Sequence, residues 1–212
     1  MKVFYIDTSS SYLYSGIVSD NILLASTKIN FEKDLSKYTL AEVEKLFKDS
    51  SLTPNDIDKI IVVSGPGSFT GIRIGMTLAK IFAWSLKKEI TTITSLDAMS
   101  SSVDTNKLKV PVIDARRGYV YAGIYENDDV ILENCYIKLD NLKEKLNELK
   151  KEYVFITNNN LSLENTLNYD PNILKIVNKY KNKESINPHL VEPSYFKLTE
   201  AEENLGSINH DN

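Results

Sequence analysis

The stretch IDTSSSYLYSGI at residues 6–17 recurs as IDARRGYVYAGI at residues 113–124. The two stretches share Ile, Asp, two Tyr, Gly and Ile at matching positions. Each reads as the end of a strand, an Asp, a short polar loop and a second strand. The repeat therefore predicts two duplicated halves, with Asp7 and Asp114 in equivalent loops. The competing interpretation is a chance likeness between two hairpins, and we favour duplication.

Hydrophobic periodicity extends both halves outward from this repeat. Strands are predicted at 3–7, 12–18, 22–29, 59–63 and 90–94, and again at 109–114, 119–126, 130–137 and 153–157. Helices are predicted at 35–47, 69–86 and 140–150, with a short helix that Ser95 caps. The polar segment 100–107 predicts a boundary between an N-terminal domain, 1–103, and a C-terminal domain, 104–212, with an acidic tail. No clear pattern follows residue 158.

Composition excludes several classes of protein. The chain has 25 Lys and Arg against 29 Asp and Glu, so its net charge is −4 and no basic patch could hold nucleic acid unaided. Its single cysteine, Cys135, excludes an internal disulfide, and no CxxC pair or His cluster predicts a metal site. Two histidines give little support to a serine or zinc peptidase. Without a signal peptide or a membrane span, we expect a cytoplasmic protein.

A glycine-rich turn, SGPGSFTGIR at 64–73, lies between a predicted strand and a predicted helix. Backbone N–H groups at such a helix start favour an anion, although no Gly-Lys-Ser/Thr closes a Walker loop. The alternative is a strand-to-helix turn that needs glycine and a cap. The candidate anion-binding residues of this motif are Gly65, Pro66, Gly67, Ser68, Phe69, Thr70 and Arg73.

Small residues recur every four positions along the helix that follows, at Gly71, Gly75, Ala79 and Ala83. Such a stripe lets another helix approach closely. Two interpretations stay open, packing against the predicted helix 35–47 of the same chain and packing against a partner protein.

The two loops of the repeat carry further candidates. Asp7 and Asp114 could position a metal-bound nucleotide between the halves, or they could cap turns. The loops lack the glycines that usually let phosphates pass, which makes independent ATP hydrolysis doubtful. Arg116 and Arg117 could bind phosphate or a partner's carboxylate, or could form an exposed hairpin tip. Together with Arg73, they are the only arginines in the chain.

Four segments together resemble one family, the bacterial TsaB (YeaZ) proteins. They are SGPGSFTGIRIG at 64–75, IDTS at 6–9, IDARRGYVY at 113–121 and EPSYF at 192–196. The resemblance implies an α/β fold of the actin/Hsp70-like (ASKHA, ribonuclease H-like) class with two βββ-α-β-α halves. It also implies a part in making N6-threonylcarbamoyladenosine at position 37 of tRNA.

The resemblance further implies a noncatalytic scaffold, with the transferase activity in its paralogue TsaD. We expect a heterodimer with TsaD, a ternary complex with the ATPase TsaE, and a homodimer when the chain is isolated. Contact with tRNA is expected to be indirect, and no membrane is involved. No intrinsic cofactor or metal is expected, and ATP or ADP is expected only at an interface of the complex. The alternative is an ASKHA phosphotransferase or acyltransferase that acts alone with ATP, using Asp7, Asp114 and the 65–71 loop.

TsaB pairs with TsaD through N-terminal helices, which map onto the two predicted helices near 35–48 and 69–86. Replacing Gly75 or Ala79 with leucine is predicted to abolish this pairing and to leave the chain folded. The residues predicted for the interface are Leu40, Val43, Phe47, Gly71, Ile72, Gly75, Met76, Ala79, Phe82 and Ala83.

Overall fold

The computed structural model describes residues 1–31 and 34–196, which form two five-stranded sheets and five α-helices. The strands of the first sheet are β1 (Lys2–Asp7), β2 (Tyr12–Ser19), β3 (Ile22–Asn30), β4 (Lys59–Val63) and β5 (Glu89–Ile93). Those of the second are β6 (Leu108–Asp114), β7 (Tyr119–Glu126), β8 (Asp129–Lys138), β9 (Tyr153–Ile156) and β10 (Thr166–Leu167). The helices are α1 (Leu35–Asp49), α2 (Phe69–Ser85), α3 (Ser95–Ser101), α4 (Leu139–Leu149) and α5 (Ile173–Tyr180).

The two sheets have the same topology. The first has the order β3-β2-β1-β4-β5 and the second β8-β7-β6-β9-β10. In each, three antiparallel strands are followed by two strands parallel to the first. This matching order confirms the predicted duplication. The second half departs from the first because the described segment between β9 and β10 contains no helix, and β10 has only two residues.

The last helix of each half packs against the other half. Helix α3 follows β5 in sequence but contacts β6 and β7 of the second sheet. Helix α5 follows β10 and buries Ile173, Ile176 and Val177 beside Val3 and Tyr5 of the first sheet. These exchanged helices join the two halves, and the division at residues 103 and 104 stays a prediction.

Local sequence explains the elements that surround the first sheet. All five residues of β4, KIIVV, are buried, as expected for a central strand covered on both faces. Ser68 caps α2 by accepting a hydrogen bond from Gly71 N. The prediction that Ser95 caps α3 is wrong by one residue, because Thr94 accepts from Asp97 N and forms a capping box with it.

The segment after α5 returns to the first sheet, which the sequence pattern did not predict. Ile186 N donates to Ile90 O at 2.9 Å and covers the edge of β5. Ser194 N donates to Ser64 O at 2.8 Å, and Val191 is buried in the core under α2. The predicted acidic tail lies outside the described residues. Within the described ranges, no helix is long and apolar enough to cross a membrane.

Candidate functional site

The glycine-rich turn is fixed to its surroundings by backbone and hydroxyl contacts. Gly65 has φ +103° and Gly67 has φ +154°, which favours glycine at both positions. Ser95 donates from its N–H to Gly65 O at 2.8 Å and from its hydroxyl to Pro66 O at 2.7 Å. The turn is therefore held against the start of α3.

The loop that follows β1 packs against the first turn of α2. Ser68 N donates to Ser9 O at 2.6 Å. The hydroxyl of Thr8 donates to Gly71 O at 2.7 Å and accepts from Gly75 N at 3.1 Å. The Ser68 N–H, one of the backbone donors predicted to bind an anion, is therefore already hydrogen-bonded within the chain. Anion binding at this turn stays a prediction.

At three positions of this region, atoms of Thr8 or Ser9 lie so close to the backbone that only glycine fits. A Cβ atom would lie 2.1 Å from Ser9 O at Gly67, 2.1 Å from Thr8 O at Gly71 and 2.3 Å from Thr8 Oγ1 at Gly75. Real Cβ atoms essentially never come this close to another atom. The small residues at the start of α2 therefore make room for the chain's own β1–β2 loop.

The structure places most residues of the predicted interface inside the chain, and their part in an interface with TsaD stays a prediction. Most of the residues assigned to it are buried in the chain's own core, because the small-residue face of α2 and the apolar face of α1 pack toward the first sheet. The buried residues of this set are Val43, Phe47, Gly71, Ile72, Gly75, Met76, Ala79 and Ala83. Phe82 is partly buried against the same core, whereas Leu40 is 59% exposed.

The opposite face of α2 is apolar and exposed. Phe69 is 56% exposed, Ile81 53% and Trp84 64%. With Leu40 of α1, Phe69 and Ile81 line a groove of about 490 Å³ between the two helices. Exposed apolar patches of this kind mark interaction sites on soluble proteins. The predicted interface did not include Ile81 and Trp84. Apolar residues on every side of α2 were the sequence feature that could have identified them.

Arg73 lies on this outer face and stacks on Phe69 at the start of α2. Its guanidinium carbon is 3.7 Å from the centroid of the Phe69 ring, a cation–π contact. Arg73 Nη2 also donates to Tyr195 Oη at 3.3 Å. The arginine thus joins α2 to the C-terminal segment and forms part of the groove wall.

A second concave region, the inter-sheet cleft, has a volume of about 750 Å³ and is lined by Asp7 and Asp114. Asp7 is 2% exposed and accepts a hydrogen bond from Ser9 N at 2.8 Å, and Asp114 accepts from Arg116 N at 2.8 Å. Each carboxylate therefore caps the turn that follows it, as one of the two sequence interpretations proposed. Burial raises the pKa of Asp7, and hydrogen bonds from Ser9 partly offset the rise.

The lining of this cleft is acidic. Asp170 adds a third carboxylate to the lining, and Lys28, the cation among the described lining residues, donates to Asp170 Oδ1 at 2.7 Å. Negative charge on the walls repels an anionic ligand. Tyr14 and Tyr169 line the same cleft, and burial raises the pKa of both hydroxyls.

A family model described as TsaD, tRNA N6-adenosine threonylcarbamoyltransferase, matches residues 30–182. The tRNA threonylcarbamoyladenosine biosynthesis protein TsaB of Bacillus subtilis (strain 168) is 31% identical, over 95% of this chain and 96% of that protein.

Two solved structures share the fold. YeaZ from Pseudomonas aeruginosa has a TM-score of 0.71 at 16% identity, covering 92% of this chain and 100% of that one. A protein described as similar to the peptidase YeaZ from Pseudomonas aeruginosa has a TM-score of 0.78 at 16% identity, covering 92% and 99%.

The duplicated sheets thus define an α/β protein with the fold of the YeaZ structures. Within that class, the chain belongs to the TsaB (YeaZ) family of tRNA threonylcarbamoyladenosine biosynthesis proteins, which is related to TsaD. Sequence analysis had predicted both the fold and the family.

Proposed function

We propose that this chain is a noncatalytic scaffold subunit of the complex that makes N6-threonylcarbamoyladenosine at position 37 of tRNA. It binds TsaD, supports the recruitment of TsaE and works in the cytoplasm. The observation that carries the proposal is the exposed apolar face of α2, from Phe69 to Trp84, beside Leu40 of α1. A face of this kind is stabilised when a partner removes it from water, at roughly 25 cal/mol per Å² of apolar surface.

The start of α2 supports a noncatalytic role. In a nucleotide-binding protein, a glycine-rich turn at a helix start leaves its N–H groups free for phosphate. In this chain Ser9 O accepts the Ser68 N–H, and Thr8 occupies the adjacent helix surface at Gly71 and Gly75. The chain thus uses part of this surface itself, so we assign threonylcarbamoyl transfer to TsaD and expect any nucleotide at an interface of the complex.

Reconstitution of tRNA modification tests the proposal. TsaD and TsaE are incubated with tRNA and threonylcarbamoyl adenylate, with and without this chain. We expect omission of the chain to lower the yield of modified tRNA at least tenfold. An Asp114→Asn variant should restore the full rate within about twofold, because Asp114 caps an exposed turn.

Two results would contradict the scaffold role. One is a yield that does not depend on this chain. The other is magnesium-dependent ATP turnover by the chain alone, at a rate that Asp114→Asn abolishes. The second result would favour the independent phosphotransferase or acyltransferase.

A further inference from the structure

The hairpin between β6 and β7 ends in a left-handed turn that carries two arginines. Arg116 has φ +66°, Arg117 φ +55° and Gly118 φ +77°. The turn is closed by Tyr119 N, which donates to Arg116 O at 3.0 Å, and by Ala115 N, which donates to Tyr119 O at 3.0 Å. Left-handed backbone is disfavoured for residues with a Cβ atom, and it clusters at functional sites.

Both arginine side chains are exposed at this tip. Neither guanidinium forms an ion pair or a hydrogen bond with any residue in the ranges that the structure describes. The adjacent carboxylate of Asp114 accepts from the backbone N–H of Arg116 and not from its side chain. The hairpin thus presents ten guanidinium donors to solvent, five on each arginine.

Aromatic side chains lie directly behind the tip. The rings of Tyr119 and Tyr136 stack with centroids 4.6 Å apart and an interplanar angle of 7°. Tyr121 is tilted against Tyr136 at 5.6 Å, and Lys138 Nζ lies 5.8 Å from the centroid of Tyr119. Tyr119 and Tyr136 are both half-buried.

We propose that the tip, Arg116 and Arg117, together with the stacked pair Tyr119 and Tyr136, binds a single-stranded segment of the tRNA substrate. The proposal rests on the proposed function for the identity of the RNA. It departs from the expectation that the chain touches tRNA only indirectly. Because three cations cluster here in a chain of net charge −4, the contact is local and adds to binding by the rest of the complex.

The chemistry of the patch matches unpaired RNA better than other anions. The planar guanidinium binds phosphate through two parallel hydrogen bonds, which the ammonium of lysine cannot do. Bases in single-stranded loops stack on tyrosine rings without regard to sequence. An acidic peptide would form ion pairs with the arginines but would not stack on the tyrosine pair.

Charge reversal in the assembled complex tests the phosphate contact. Arg116→Glu with Arg117→Glu is compared with Lys143→Glu with Lys145→Glu, an equal change of charge on exposed positions of α4. The probe is an unmodified tRNA transcript bound by the complex with TsaD, at several salt concentrations. We expect the arginine variant to weaken binding at least tenfold at low salt and the lysine variant to weaken it less than twofold. Losing two phosphate contacts should lower the salt slope, log K against log salt, by about 1.4.

Two substitutions of Tyr119 test the stacking contact in the same assay. Tyr119→Leu should weaken transcript binding about tenfold, and Tyr119→Phe, which keeps the ring, should retain it within twofold. Equal transcript binding by the natural chain, Tyr119→Leu and Tyr119→Phe would show that Tyr119 does not stack on the RNA.

Other outcomes would overturn the inference. If the arginine reversal leaves transcript binding within twofold, or if it abolishes co-elution with TsaD, the tip does not contact RNA. The proposed function is tested independently of this inference, because the reconstitution with and without the chain uses the chain with its arginines intact. If a complex with the Arg116→Glu and Arg117→Glu substitutions modifies tRNA normally, this inference is contradicted and the proposed function is not.

Discussion

Replacing Gly71 with alanine is expected to lower the free energy of unfolding by about 3 kcal/mol. The new Cβ would lie 2.1 Å from the backbone oxygen of Thr8, and neither the helix nor the loop can move away cheaply. Thr8 is anchored to α2 by two hydrogen bonds, so a displaced loop also loses these contacts. For a chain of this size, the midpoint of thermal unfolding should fall by roughly 10 °C.

The matched control is Thr77→Ala on the exposed face of the same helix. Alanine is the better helix former, so this variant should unfold at the same temperature as the natural chain or slightly above it. Circular dichroism during heating measures both. A Gly71→Ala variant that unfolds within about 2 °C of the natural chain would show that α2 does not pack against Thr8 as described.

The double substitution Ile81→Glu with Trp84→Glu should abolish binding to TsaD and leave the free chain folded. Both side chains are more than half exposed, so their loss should change stability by less than about 0.5 kcal/mol for each substitution. Tryptophan is a frequent hot spot, and two carboxylates would be buried in an apolar contact. We expect the dissociation constant, measured by titration calorimetry, to rise at least about 100-fold.

Val130→Glu with Ile131→Glu is the matched control for this experiment. These side chains on β8 are 46% and 43% exposed and belong to the second sheet. Replacing both with glutamate should leave the affinity for TsaD unchanged. Equal loss of binding in both double variants would mean that general solubility, and not the face of α2, controls the interaction.

Most elements were predictable because their patterns are local. The apolar run of β4 and the serine cap of α2 each depend on a few neighbouring residues. The repeat around Asp7 and Asp114 then gave the arrangement of both sheets, since equal patterns fold alike.

The face that α2 presents to solvent could not be read from its sequence. Apolar residues surround this helix, so periodicity alone does not show which side meets the core. The stripe from Gly71 to Ala83 was compatible with a partner or with the chain itself. The structure shows that Thr8, which is distant in sequence, fills the space beside Gly71 and Gly75. Gly75 and Ala79 are buried in the chain, and the prediction that leucine at either position leaves it folded stays a prediction.

The segment after β9 was not predictable for a different reason. Its contacts are long-range hydrogen bonds, such as those from Ile186 to Ile90 and from Ser194 to Ser64. The part after α5 covers a sheet edge and a helix flank without forming an α-helix or a strand of its own. No periodic pattern results from such packing, although Val191 is as deeply buried as the central strands.

Hydroxyl-radical footprinting of the chain, alone and with TsaD, tests the central claim most directly. Trp84 is the only tryptophan and is 64% exposed, so mass spectrometry can follow its oxidation without ambiguity. If the outer face of α2 is the scaffold surface, TsaD should protect Trp84 and Phe69 strongly and leave the rings of Tyr12 and Tyr14 at the inter-sheet cleft unchanged. Undiminished oxidation of Trp84 in the complex, with protection at the cleft, would contradict the account.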